Sequence, residues 1–359
     1  MQRPAEVTTK PKDPKARVRM VDVARRAGVG TITVSRALRT PEQVSPEVRQ
    51  RVVAAMRATG YVPNLAAGTL KSQRSRVVAA IVPTLRNTIF AETVDGLAQA
   101  LREQGFQLLI ANSGYSVEDE ETILLNLLGQ QPVAVVLTGT SHTPRVRALL
   151  RSRGLPVVET WDLSDDPIDR AVGFSNFEAA RCMTLALVDR GYRRIAFAAI
   201  PPGKEQRAAQ RLLGYRRAMR ELKLPPQTVE LEDLGTSFAS GERAIRALLA
   251  LERPPDAVFF VNDVAALGAA QACARMGISV PGRIAIAGFG DFELATAAHP
   301  PLTTVGIPGR QIGETAAHLI LERLGTATAS AGPQAMNAGA AATGRYVDLG
   351  FKIILRESA

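Results

Sequence analysis

From position 77 onward, short apolar runs recur between longer amphipathic stretches, and this alternation predicts most of the fold. Residues 77–83 (VVAAIVP), 106–112 (FQLLIAN), 133–139 (VAVVLTG), 156–160 (PVVET) and 171–175 (AVGFS) form one series. Residues 193–200 (RRIAFAAI), 228–233 (TVELED), 256–262 (DAVFFVN) and 283–290 (RIAIAGFG) form a second. Continuous apolar strands separated by helices belong to parallel sheets covered on both faces, where neither side of the strand meets water. Two series predict two doubly wound α/β subdomains with a cleft between them, and ligands of such folds bind at the carboxyl ends of the strands. The tail 346–355 (YVDLGFKIIL) predicts one returning strand.

Ahead of this core the period changes from strand to helix. Residues 21–27 and 31–39 read as two short amphipathic helices joined only by Gly28, Val29 and Gly30, which is helix-turn-helix spacing. Ala24 allows close crossing and Gly28 tolerates positive φ in the turn. Val23, Ala27, Val29, Val34, Ala37 and Leu38 are the expected miniature core. Thr31, Ile32, Thr33, Ser35 and Arg36 fall on the other face, a mixture suited to phosphates, thymine methyls and guanine edges. Ser45 predicts an N-cap with Pro46 at the first helical position, for a third helix that runs to about Thr59 and stops at Gly60.

Charge sharpens the picture. Residues 1–76 hold 16 Lys and Arg against five acids, +11, so the other 283 residues sum to −1 within a chain of +10. The excess positive charge therefore sits on the helix-turn-helix segment, where it attracts a phosphate backbone in a salt-dependent way. The expected organisation is a basic arm (1–18), a DNA-binding headpiece (19–63), a hinge (64–75) and an effector-binding and dimerisation core (76–359). Within that core the Ala/Gly/Ser-rich stretch 325–344 reads as disordered or as a flexible surface loop. The hinge is too short to be helical alone, and Gly68 costs about 1 kcal/mol more than Ala in a helix. Two cysteines, Cys182 and Cys273, in apolar helical stretches are expected to be free thiols in a reducing cytosol. No apolar run reaches membrane-spanning length, and a cytoplasmic protein without a membrane partner is the expectation.

Asp22-Val23-Ala24, Ala27-Gly28-Val29, Thr33-Val34-Ser35-Arg36, Val44-Ser45 and Gly60-Tyr61-Val62-Pro63-Asn64 resemble the headpiece of the lactose-repressor family, and the resemblance extends more loosely over nearly the whole chain. It implies a periplasmic-binding-protein-like core and a homodimer on a near-palindromic double-stranded operator. It also implies roles: Thr31, Ile32 and Arg36 at base edges, and Thr33, Ser35, Tyr61 and Asn64 on the backbone. Leu70 matches the leucine that the family's hinge helix wedges into the minor groove. No leucine heptad follows Phe351, which favours a dimer over a tetramer.

Within the family the chain most resembles the gluconate-utilisation repressors, in residues 87–92 (NTIFAE), 142–145 (HTPR), 156–159 (PVVE), 172–181 (VGFSNFEAAR) and 348–351 (DLGF). A sugar acid needs one cation for its carboxylate and several groups for its hydroxyls. The resemblance assigns the carboxylate to Arg211 and hydroxyls to Asn262, Asp263 and Glu159, with His142, Asn87, Phe90, Phe174 and Asn176 as cleft neighbours. One departure stands out: Gly290 occupies the place where many relatives carry a ligand-binding Asp. Loss of a carboxylate there suits an anionic effector by removing repulsion.

Enzymatic patterns are missing from the sequence: no Gly-x-Ser-x-Gly elbow, His-Glu-x-x-His, Cys-x-x-Cys or phosphate loop is present. His142, His299 and His318 lack metal-ligand spacing, so neither catalysis, a metal nor a cofactor is expected. Two other readings remain open on sequence: a sugar-acid sensor that acts through a protein partner, and a catabolite-control regulator with a phosphocarrier corepressor.

Overall fold

The computed structural model describes residues 18–62, 75–85, 90–201, 203–231, 233, 237–326 and 341–359. The arm, the hinge with Asn64 and Leu70, Asn87, and most of the stretch 325–344 lie outside the described residues. The chain divides into two units, residues 1–74 and 75–359.

In the first unit, α1 (Met20–Ala27), α2 (Thr31–Arg39) and α3 (Pro46–Thr59) enclose a core of Val23, Ala24, Ala27, Val34, Ala37, Val52 and Ala55. These side chains are small, so the three helices approach closely. The predicted boundaries hold for local reasons. Ser45 Oγ accepts from the Val48 amide at 3.4 Å, and α1 and α3 end on Gly28 and Gly60 at φ of 65° and 66°, a left-handed stop that a Cβ disfavours. Val29 and Leu38, expected in the core, pack against it partly buried.

The second unit contains two sheets. Strands β1 (Val77–Val82), β2 (Gln107–Asn112), β3 (Ala134–Thr138), β4 (Val157–Thr160) and β5 (Arg170–Gly173) form the first with β11 (Ala341–Thr343) and β12 (Tyr346–Asp348), in the order β11-β12-β5-β4-β3-β1-β2. The second is β13-β10-β9-β8-β6-β7, built from β6 (Ile195–Ala199), β7 (Gln227–Glu230), β8 (Ala257–Phe260), β9 (Ala285–Gly290), β10 (Thr303–Gly306) and β13 (Lys352–Ile354). Helices α4 (Ala91–Glu103), α5 (Val117–Leu128), α6 (Pro144–Arg153), α7 (Asn176–Asp189), α8 (Gln206–Glu221), α9 (Phe238–Leu249), α10 (Asp263–Arg275), α11 (Glu293–Ala297) and α12 (Gly309–Arg323) link them. All pairings along the two apolar series are parallel, as expected; the additional edge strands β11 and β13 pair antiparallel.

The structure corrects the sequence reading in two places. The tail is not one strand: β12 adds to the first sheet and β13 to the second, with a break at Leu349-Gly350-Phe351, where Gly350 takes φ 66°. Strand β10 was not expected because Thr303-Thr304 interrupts the apolar pattern. Both threonines are nevertheless fully buried, their hydroxyls donating to the Arg356 carbonyl and to Asp263 Oδ1. Cys182 and Cys273 are free, as expected. Among the described residues no helix is long and apolar enough to cross a membrane.

The chain passes between the sheets from β5 through α7 to β6, from β10 through α12 to β11, and from β12 to β13. The strand ends that face this crossing carry the candidate ligand residues.

Candidate functional site

In the headpiece, the turn after Gly28 sets α2 so that Thr31, Ile32 and Arg36 are exposed, Ile32 at 68%. Ile32 and Arg36 lie four residues apart on one face, so an aliphatic and a guanidinium project together. Thr33, Ser35 and Tyr61 are half-buried at its flanks. A large aliphatic side chain left in water beside a cation has no role in the headpiece core. It fits a thymine methyl next to a guanine edge.

Sequence reading missed the residue that holds this face in place. Arg51 of α3 donates from Nη2 to the Ala27 carbonyl at 2.9 Å and to the Gly28 carbonyl at 3.3 Å, with Nε to Ala27 at 3.2 Å. A cation at the end of α1 satisfies orphan carbonyls and opposes the helix dipole. Nothing local to Arg51 signals a partner 24 residues away.

In the core, a cleft of about 990 Å³ lies where strand ends of the two sheets meet, with Ser113, Tyr115, Glu120 and Ser141 on one wall and Lys204 and Arg207 on the other. Behind Arg207 lies a buried aromatic cluster: Phe90 meets Trp161 edge-on at 5.0 Å, Trp161 meets Phe174 at 6.0 Å, and Phe174 lies 6.1 Å from Phe289. The guanidinium of Arg211 sits 4.0 Å above the Phe289 ring and that of Arg207 5.4 Å above Phe90.

Arg211 is buried against this cluster. Nε donates to Asn176 Oδ1 at 2.9 Å and Nη1 to the Val261 carbonyl at 2.7 Å. Burial pushes its pKa down to about 10, still a cation at neutral pH. Asn176 in turn donates to the Trp161 carbonyl at 3.0 Å. Arg207, one turn earlier on α8, is also buried and pairs through Nε with Glu205 Oε1 at 2.7 Å. Burial opposes both charges, yet their mutual attraction wins, raising the arginine and lowering the carboxylate. Arg207 Nη1 is buried with no hydrogen-bond partner among the described residues.

Glu159 and His142 form a pair behind the wall. His142 Nδ1 contacts Glu120 Oε1 at 2.6 Å, and Nε2 comes within 3.2 Å of Glu159 Oε1 at charge-pair distance without hydrogen-bond geometry. Glu159 Oε2 accepts from the Ile168 amide at 2.6 Å, and Arg147 lies 3.7 Å away. Burial alone would depress the imidazole; the hydrogen bond to Glu120 and the adjacent carboxylate charges of Glu120 and Glu159 outweigh it and raise its pKa to about 9. The structure thus places Glu159 and His142 together, and only their partner Glu120 lines the cleft.

Asn262 caps α10, accepting from the Ala265 amide at 2.9 Å. Asp263 is fully buried beneath, accepting from Thr304 Oγ1 at 2.6 Å and the Phe292 amide at 3.3 Å. Its pKa rises to about 7 because desolvation exceeds the help from those donors. Gly290 adopts φ 135°, and a Cβ there would lie 2.6 Å from the Phe292 ring and 3.5 Å from Asp263 Oδ2. A side chain, and a second carboxylate above all, has no room at that position.

Comparison with known proteins agrees with both halves. A family model for bacterial regulatory proteins of the lacI family matches residues 19–64, and one for a periplasmic binding protein-like domain matches residues 184–358. The HTH-type transcriptional regulator GntR of Escherichia coli K12 is 37% identical over 339 residues, 94% of this chain and 98% of its own length. A LacI-family transcriptional regulator from Silicibacter pomeroyi superposes with TM-score 0.83 at 32% identity, over 95% of this chain and 99% of that one. The lac repressor dimer bound to operator and an anti-inducer superposes with TM-score 0.77 at 25% identity, covering 96% and 99%. A three-helix reader followed by two doubly wound subdomains, matched along almost its full length, places the chain in the lacI family: it is a DNA-binding transcriptional repressor.

Proposed function

We propose that this repressor acts as a homodimer, holding two headpieces in successive major grooves of a near-palindromic operator and releasing it when a small sugar acid such as gluconate fills the core cleft. The observation that carries the effector class is Arg207, a buried arginine lining a cleft whose walls are otherwise rich in hydroxyls and carboxylates, with a second buried arginine, Arg211, one turn further along α8. Buried guanidinium groups are costly without an anion or full hydrogen bonding, and Arg207 lacks the latter. The barred position at Gly290 removes a carboxylate that would repel an acid.

At the DNA, Thr31, Ile32 and Arg36 read base edges, and Thr33, Ser35, Tyr61 and Asn64 hold phosphates. Leu70 is the wedge that opens the minor groove, at a cost of a few kcal/mol of unstacking. Beneath the cleft, Arg211, Asn176, Phe90 and Phe174 form a buried cluster, and Asn262, Asp263, Glu159, His142 and Asn87 support the surrounding strand ends. Two headpieces of a twofold dimer reach half-sites about 34 Å apart. A dimer surface is supported by edge strand β2, which exposes Leu109 and Ile110, each at 37%. The protein works in the cytoplasm, where its operator is.

The test is fluorescence anisotropy on a labelled near-palindromic site, titrated with gluconate at fixed salt. Release of specific binding by sub-millimolar gluconate is the expected result. Specific binding that gluconate does not release removes the effector from this reading and leaves the repressor.

A further inference from the structure

Resting on that effector reading, we infer that Arg207 is the residue that grips the effector's carboxylate, and that the ligand is a polyhydroxylated acid carrying one negative charge and no phosphate. Arg211, which the family resemblance favours for the carboxylate, has Nε on Asn176 and Nη1 on the Val261 carbonyl and stacks on Phe289. These two nitrogens are committed to the protein. Arg207 is different. Glu205 holds its Nε and also accepts from the Arg207 and Ala208 amides at 3.1 and 2.7 Å, so one carboxylate both starts α8 and fixes the guanidinium. Nη1 is left buried and unfilled among the described residues, on a side chain that lines the cleft. A guanidinium presents parallel donors to a carboxylate, and a pre-fixed one loses little entropy in binding it.

The charge of the walls limits what that acid carries elsewhere. The described lining has two cations, Lys204 and Arg207, against four carboxylates, Glu118, Glu120, Glu205 and Asp233. Arg207 is already balanced by Glu205, and Glu120 is backed by His142. A single carboxylate at Nη1 is tolerated; a phosphate of nearly two charges at the far wall meets Glu118, which has no paired cation among the described residues, beside the Glu120–His142 pair. That wall, with Ser113, Ser116 and Ser141, suits a polyol chain instead. The acid's two ends then touch different subdomains, since Arg207 belongs to α8 and Glu120 to α5.

Trp161 is the sole tryptophan and packs edge-on against Phe90, under Arg207, so its fluorescence reports on this spot. Affinities of D-gluconate, D-glucitol and 6-phosphogluconate are measured on the full chain, with D-galactonate and galactitol as a second acid and alditol pair. The wild-type protein is expected to prefer an acid over its alditol by about tenfold or more, and gluconate over 6-phosphogluconate. In Arg207→Gln that acid preference collapses toward one while operator binding persists. Glu205→Gln removes a negative charge but keeps an acceptor, and is expected to shift preference toward 6-phosphogluconate. An acid preference retained by Arg207→Gln overturns the assignment and leaves the effector reading standing. Tighter wild-type binding of 6-phosphogluconate overturns the single-charge limit. If neither acid exceeds its alditol in the wild-type protein, both this inference and the effector reading fall.

Discussion

Arg211 donates from Nε to Asn176 Oδ1 at 2.9 Å, and Asn176 passes the contact on beneath the cleft. Its Nδ2 reaches the Trp161 carbonyl at 3.0 Å, Trp161 Nε1 reaches Thr93 Oγ1 at 3.0 Å, and Thr93 Oγ1 reaches the Gly309 carbonyl at 2.9 Å. One buried hydrogen-bond chain thus joins α8 to α4 and to the start of α12, where the polypeptide has just crossed between the sheets. Arg211→Ala breaks it at one end. The expected outcome in anisotropy is unchanged operator affinity without effector and loss of release by gluconate. A variant that melts cooperatively and remains inducible would show that closure does not travel through this chain.

Base reading by Arg36 is tested by comparing a specific site with a scrambled one. Arg36→Ala should lower specific affinity by about 1–3 kcal/mol, the worth of a bidentate guanine contact. Non-specific affinity should change much less. Equal losses on both DNAs would make Arg36 a phosphate contact.

Arg51→Ala removes three donors from the carbonyls at the end of α1 and leaves those carbonyls to water. The expected cost is about 1–2 kcal/mol in headpiece stability. It is read in the full chain as faster amide exchange across α1 and α2. Unaltered protection there would mean that the small core alone orients the reading helix.

The buried His142 gives the core a pH dependence of definite sign. Its folded pKa of about 9 exceeds the ordinary imidazole value of 6.5, so the native state holds a proton that the unfolded chain releases. The resulting stability is fully present below pH 6.5 and is lost as pH rises to about 9, an upper limit of about 3 kcal/mol. Asp263, whose pKa is raised to about 7, adds a decline between pH 4 and 7. Denaturant melts of the wild-type protein should weaken from pH 6.5 to 9, and His142→Gln should flatten that interval while keeping the lower one. An unchanged slope in the variant would assign the effect elsewhere.

Local chemistry was legible and remote pairing was not. Ser45, Gly28 and Gly60 fix helix ends through their own backbone and nearest amides, so the three headpiece helices could be bounded from the chain alone. The two strand series were legible because strands such as β3 and β8 are buried on both faces. By contrast, β10 hides in a Thr-Thr pair whose burial depends on Asp263 and Arg356, both distant in sequence. Arg207 and Arg211 are alike on paper. Only the fold shows that Nε and Nη1 of Arg211 are committed to Asn176 and Val261, while Glu205 fixes Arg207 with its Nη1 unfilled among the described residues. The resemblance sets His142 and Glu159 near the ligand, and that the imidazole bridges Glu159 and Glu120 emerges only when the ends of β3 and β4 lie side by side.

One effector and one operator compete through the shape of a single core, and thermodynamic reciprocity exposes that competition. Gluconate affinity is measured from Trp161 fluorescence with and without saturating operator, and operator affinity from anisotropy with and without saturating gluconate, at one salt concentration. The expected result is that both fall by the same factor, about tenfold or more, a coupling of at least about 1.4 kcal/mol. Operator affinity that stays constant in saturating gluconate would contradict it.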